Sequence, residues 1–159
     1  IFNSYMNIDY TIFRLYSVYG FGQNTNNLDQ GLLSIFLGYI INKAKLIVKG
    51  SAERERDIIH VEDVTDALVK SIKNHKTYNK TYNLGFGKSL KIKSIINNLL
   101  DTFDKKDFPV KYKGKTKGDP FKTQADIRLI RKDLNWIPKI DPIKGIQKTA
   151  RNYLDNISE

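Results

Sequence analysis

The residues with the most chemical reach lie in one run, KGSAERERDIIHVEDVTD, at positions 49–66. Arg56 ends a polar turn and opens a β-rich segment, so its stem is anchored while its head points back across the turn. A guanidinium held that way can take a diphosphate with a bidentate geometry that lysine lacks. Asp57, its neighbour, is placed to orient it. The same residues also read as a surface ion-pair cluster of Glu53, Arg54, Glu55 and Arg56, and the run by itself leaves both readings open.

Other candidate chemistry is thinner. Gly85-Phe86-Gly87-Lys88-Ser89 resembles the tail of a phosphate-binding P-loop, but the full pattern needs a glycine where Tyr82 stands. An ordinary glycine turn followed by a serine cap is the better account. No G-x-G-x-x-G fingerprint occurs; Gly20 and Gly22 supply two glycines, and the third position is Thr25. Cysteine is absent and the only histidines are His60 and His75. Disulfides, thiolate nucleophiles and thiolate-zinc sites are thereby excluded, and no metal site is expected. No Ser-His-Asp order or carboxylate pair stands out, so no catalytic residue is assigned.

The elements that must position these groups alternate. Residues 11–18 (TIFRLYSV) are β-rich and lead into a glycine-containing loop at 19–23, and an apolar helix is expected over 30–43. Strands are expected at 46–48, 57–61 and 81–84, with a further one at 108–112. Between them, Val64, Ala67, Leu68, Ser71 and Ile72 form an amphipathic stripe at helical spacing. Ser89 is a good N-cap for a helix burying Ile92, Ile95, Ile96, Leu99, Leu100 and Phe103. Asp126 can cap a helix carrying Ile127, Ile130 and Leu134, and Asp141-Pro142 opens a last helix with Ile143, Ile146, Ala150, Tyr153 and Leu154 inward. Residues 1–7 look like the end of a helix. Strands separated by helices give an α/β fold. Short strands with charged, glycine-bearing loops suit a binding lobe better than a self-sufficient doubly wound sheet.

A chain of 159 residues can bury one core, and 40% apolar with 28% charged residues is ordinary for a globular domain. No run approaches the roughly 20 apolar residues of a membrane-spanning helix, and the start has neither a basic region nor a cleavage site. A reducing cytoplasm is the default expectation. The net charge of +10 admits a polyanion partner such as RNA, through a standalone basic module. The longest basic stretch, 110–122, is short and broken by glycines, which favours a smaller phosphorylated ligand.

Five blocks, in order, sharpen the reading. Residues 11–23, TIFRLYSVYGFGQ, resemble the segment "LRxFNVYGPGQ" of extended short-chain dehydrogenases/reductases, and residues 50–66 resemble "GxGxxxRDFxxVxDVxxA". Tyr82-Asn83-Leu84-Gly85 is similar to "YNxG"; Lys117-Gly118-Asp119-Pro120, Ala125-Asp126 and Leu134-Asn135-Trp136-Ile137-Pro138 resemble "RxGDP…AD…LGWxP". The family so resembled is the NAD-dependent sugar-nucleotide epimerase/dehydratase group, of the UDP-glucose 4-epimerase-like kind.

The resemblance implies that residues 1–159 form one carboxyl-terminal substrate-binding lobe of an extended Rossmann-type enzyme. Its NAD-binding domain, with the glycine-rich loop and Y-x-x-x-K pair, would lie upstream of this sequence. The lobe alone would then have no turnover. It would hold the nucleoside diphosphate of a sugar nucleotide so that NAD can oxidise the sugar at C4, and the full-length protein would be a homodimer. Arg56 matches the family arginine on the diphosphate, Ile47 and Lys49 fall beside the nucleobase, and Ser17 sits where an Asn contacts the sugar diphosphate. Tyr16 and Val18 would neighbour the nicotinamide. The family's second phosphate arginine corresponds to Thr116, so Lys115 and Lys117 are the expected substitutes. Gly87, Trp136 and Pro138 are assigned to turns and packing.

Overall fold

In the computed structural model, which describes residues 5–27, 31–114 and 118–157, the β-rich run at 11–18 is two strands rather than one. β1 (Thr11–Leu15) pairs in parallel with β5 (Lys80–Leu84), whereas β2 (Ser17–Tyr19) pairs in parallel with β4 (Glu55–His60). The chain changes sheets at Tyr16, whose amide donates to Leu84 O at 3.0 Å. The switch sets Ser17 opposite Ile58, on the face of β4 that also carries Arg56 two residues earlier. β6 (Ser89–Lys91) adds to β4 in antiparallel fashion, and β3 (Leu46–Lys49) pairs in parallel with β7 (Val110–Lys113). The fold is α/β, with short strands and helices alternating.

The helices are α1 (Leu32–Ile41), α2 (Val61–Ser71), α3 (Ile92–Thr102), α4 (Arg128–Leu134) and α5 (Pro142–Ile157), with a single 3-10 turn at His75–Thr77. On α3 and α5 the buried faces are those that helical periodicity marks. Leu33, Phe36, Leu37 and Ile40 of α1 pack with Ile92, Ile95, Ile96, Leu99 and Leu100 of α3 and with Ile146, Ala150 and Tyr153 of α5. A second cluster joins Ile59, Val64, Ala67, Tyr82, Leu84, Ile130, Leu134 and Trp136, which is fully buried.

Two helix readings need correction. α3 begins at Ile92, because residues 89–91 form β6 opposite 55–57; the Ser89 hydroxyl donates to Glu55 Oε2 at 2.5 Å instead of capping a helix. On α2 the stripe is narrower than its spacing indicates: Val64 and Ala67 are buried, while Leu68 and Ile72 are 42% and 67% exposed. The buried face turns toward Asp63, whose carboxylate accepts the amides of Lys139 at 2.8 Å and Ile140 at 3.1 Å. A carboxylate so satisfied can occupy a core position that an apolar residue would otherwise fill. At α4 the cap position is Ile127, although Asp126 still accepts the Arg128 amide. Asp141 does cap α5, accepting from the Ile143 and Lys144 amides.

His60 ends β4 and caps α2: its Nδ1 accepts the Glu62 amide at 3.3 Å, and its ring meets buried Tyr19 edge-on at 5.3 Å. Burial pulls its pKa down, against the opposing pull of Glu62 and Asp63. The unfolded chain therefore takes up the proton first as pH falls through about 6.5, and the protonated ring cannot accept the capping amide. Stability from this group is full above that value and is lost between it and the lower folded pKa. His60→Asn keeps a capping acceptor without the titration. Urea midpoints at pH 7.5 and 5.5 should fall further for the wild type than for His60→Asn; equal falls would refute the assignment.

Candidate functional site

The segment after Gly118 is stitched along β4. Glu55 N donates to Phe121 O at 2.8 Å, Thr123 N to Glu55 O at 3.1 Å, and Asp57 N to Thr123 O at 3.0 Å. This places Asp119 between two guanidiniums. Its Oδ2 accepts from Arg54 Nη1 and its Oδ1 from Arg56 Nη2. Arg56 also donates through Nη1 to Glu55 O at 2.7 Å. Arg54 is braced by the carbonyls of Ser51, at 3.2 Å from Nε, and Lys49. Both side chains are largely sheltered, at 13% and 11% exposure, with Asp119 at 23%. Two cations share one carboxylate, so the cluster carries one unbalanced positive charge.

Asp119 stands in the wall between two cavities. The smaller, about 360 Å³, is lined by Gly50, Ser51, Arg54, Tyr112, Lys113 and Phe121 together with Asp119. The larger and more open one, about 720 Å³, is lined by Tyr16, Ser17, Arg56, Pro120 and Lys122 among others, again with Asp119. A site that offers a charge pair between two hollows can take an elongated anion whose ends differ in character.

Several sequence expectations converge here. Arg56, Ser17 and Tyr16 line the larger cavity together. Val18 points elsewhere: it packs against the second core cluster and lines a small hollow with Gly20, Phe21 and Val61. Ile47 and Lys49 lie on the exposed face of β3, outside the residues lining either large cavity, and Lys49 reaches the site through its carbonyl. Lys115 and Lys117, like Thr116, lie outside the described residues.

Asp57 does not orient Arg56. Adjacent residues of a strand point to opposite faces, and Asp57 is fully buried on the far side. There it accepts the amides of Phe86 at 2.7 Å and of Gly87 and Ala125, each at 2.9 Å. Burial pushes its carboxyl up, and the three amides pull it back only in part. The orienting carboxylate is Asp119, far away in sequence. Arg54, read in sequence only as a member of an ion-pair cluster, is the second arginine of the site. Its one local signal is the i, i+2 spacing from Arg56, which returns it to the same side of an extended segment.

The Gly85–Gly87 turn is not a phosphate cradle, because the Phe86 and Gly87 amides are already taken by Asp57. Among the described residues no cluster of His, Asp or Glu could hold a metal ion, and no helix is long and apolar enough to cross a membrane.

Residues 1–85 match the model of the NAD dependent epimerase/dehydratase family. The chain is 28% identical over 144 residues to dTDP-4-dehydro-6-deoxyglucose reductase from Escherichia coli, covering 87% of this chain and 43% of that protein. It is 26% identical over 156 residues to a putative UDP-glucose 4-epimerase from Methanocaldococcus jannaschii, covering 98% of this chain and 49% of the relative. Among solved structures, the UDP-glucose 4-epimerase of Thermotoga maritima with UDP-glucose superimposes with a TM-score of 0.88 at 25% identity, over 98% of this chain and 49% of the other. The chain thus spans about half the length of the relatives it matches. With the five sequence blocks, the α/β fold and the family match in agreement, the chain belongs to the NAD dependent epimerase/dehydratase family.

Proposed function

We propose that this chain binds the nucleoside-diphosphate part of a sugar nucleotide and positions the sugar for oxidation at C4 by NAD held in an upstream Rossmann-type domain. The observation that carries the reading is the Arg54–Asp119–Arg56 cluster between two cavities. The smaller cavity has the aromatic walls, Tyr112 and Phe121, that suit a nucleobase. The larger one opens past Tyr16 and Ser17, where a sugar would sit, and Ser17 offers a hydroxyl donor. The chain's part in the reaction is orientation, which converts binding energy into a productive approach. NAD, when bound, would supply the hydride chemistry.

The exposed surface supports an upstream domain. β1 pairs on one edge only among the described strands, with Ile8, Tyr10, Ile12 and Leu15 exposed beside it. A two-stranded parallel pair is marginal by itself, and this row of exposed apolar side chains suits cover by a further domain. The reading extends to a homodimeric full-length protein.

The RNA-binding alternative needs a continuous basic face. Many described lysines are instead interleaved with carboxylates, as in Lys91–Glu53, Lys122–Glu55, Lys80–Asp133 and Lys148–Glu62. Calorimetric titration of the protein with UDP-, CDP-, GDP- and dTDP-glucose and with a single-stranded RNA should give saturable binding of at least one sugar nucleotide. Tighter, strongly salt-dependent binding of the RNA with none of the four would reverse the assignment.

A further inference from the structure

We infer that Arg54 is a second phosphate-binding guanidinium, so that Arg54 and Arg56 hold a diphosphate as a pair. This rests on reading the site as one for a nucleoside diphosphate. It adds a residue that sequence pattern assigned to no ligand and a reason for the glycine before it.

The pocket that holds Arg54 is built. Gly50 has φ +95, a left-handed conformation that disfavours any side chain. A Cβ there would also lie 2.7 Å from Arg54 Cζ and 2.8 Å from Nε. The absent side chain is thus the space the guanidinium occupies. The carbonyls of Ser51 and Lys49 then fix its plane. A long side chain otherwise loses much rotamer freedom on binding, and here most of it is already restricted.

The arrangement is also paired. Each oxygen of Asp119 takes one arginine, so the two guanidiniums sit side by side, one facing each cavity. Asp119 supplies one negative charge to two positive ones and leaves them under-neutralised. In a sheltered site of reduced dielectric, an anion bearing two or more charges on adjacent phosphate groups matches that excess better than a single carboxylate or phosphate does. Of the five N–H groups of Arg54, three donate to Ser51 O, Lys49 O and Asp119, which leaves one on each Nη for a phosphate; Arg56 keeps its Nε and one Nη2 N–H, so the two guanidiniums can take neighbouring phosphates. Lys113, on the wall of the smaller cavity, adds charge without planar geometry.

The rival role for Arg54 is bracing: it could simply hold Asp119 for Arg56. Inorganic pyrophosphate and orthophosphate separate the two, because neither depends on the identity of the nucleobase. Both would be titrated by NMR into the wild type, Arg54→Gln, Arg54→Lys and Arg56→Gln at fixed ionic strength, with thermal melts confirming that each variant is folded. The expected result is a wild-type preference for pyrophosphate that falls about tenfold in Arg54→Gln, with orthophosphate affinity changed much less, and is restored only in part by Arg54→Lys. An unchanged preference in folded Arg54→Gln, or equal loss for both anions, would overturn the pairing while leaving Arg56 as the diphosphate residue. A wild type that binds neither pyrophosphate nor UDP would overturn the site reading and this inference together.

Discussion

Asp57→Ala should lower folding stability by roughly 3–6 kcal/mol, the largest effect expected of any single substitution in this site's surroundings. Asp57 is fully buried and accepts three backbone amides, from Phe86, Gly87 and Ala125. Removing it leaves three sheltered donors without an acceptor, and each unsatisfied buried amide costs about 1–3 kcal/mol. The void adds to this, because Gly85 packs so closely that a Cβ on it would lie 3.0 Å from Asp57 Oδ2. For a chain of this length about 1 kcal/mol shifts the melting temperature by roughly 2–4 °C, so a drop on the order of 10 °C follows. Asp57→Asn should fall between, since its one remaining oxygen can take over the Gly87 and Ala125 amides while its NH2 faces that of Phe86. Thermal denaturation followed by circular dichroism checks both. An alanine variant melting within about 2 °C of the wild type would show that water satisfies these amides instead.

Arg56→Ala should weaken UDP binding about ten- to a hundredfold, the largest effect expected on affinity. A hydrogen bond to a charged partner is worth about 1.5–3 kcal/mol, and 1.4 kcal/mol is a factor of ten. The loss extends beyond one charge, because Arg56 occupies one oxygen of Asp119 and the Glu55 carbonyl. Without it the Asp119 carboxylate faces the cavity with only Arg54 and repels the incoming phosphates. Arg56→Lys should recover only part of the affinity, since an ammonium is a point charge with no planar fork. Calorimetric titration with UDP at constant salt measures the series. Retention of wild-type affinity to within threefold in Arg56→Ala would remove this residue from the binding site.

The parts of the fold that local pattern decides were legible in the sequence. α3 buries the very residues its periodicity marks, and Asp141-Pro142 starts α5 where the N-cap and fixed φ of proline predict. Chemistry and position mark Arg56 as either an anion grip or part of a surface ion-pair cluster, and only the family resemblance chooses between them. What pattern missed is nonlocal. Nothing in TIFRLYSV marks Tyr16 as the point where the chain leaves one sheet for another, because both halves have strand propensity and the division is set by partners some forty to seventy residues away. The Ser89-Leu90-Lys91 segment has a good capping residue, yet pairing with β4 takes it into a strand; tertiary contacts override propensity. Adjacency in sequence does not put Asp57 and Arg56 on one face. Strand alternation sends Asp57 away from Arg56, and the carboxylate that serves the arginine comes from 63 residues further on.

A crystal structure of the protein with UDP tests the diphosphate site most directly. The predicted result places one phosphate within hydrogen-bonding distance, about 2.7–2.9 Å, of Arg56 and the other within the same reach of Arg54, with uracil between Tyr112 and Phe121. UDP bound elsewhere, with Asp119 still holding both arginines and neither phosphate near them, would contradict it.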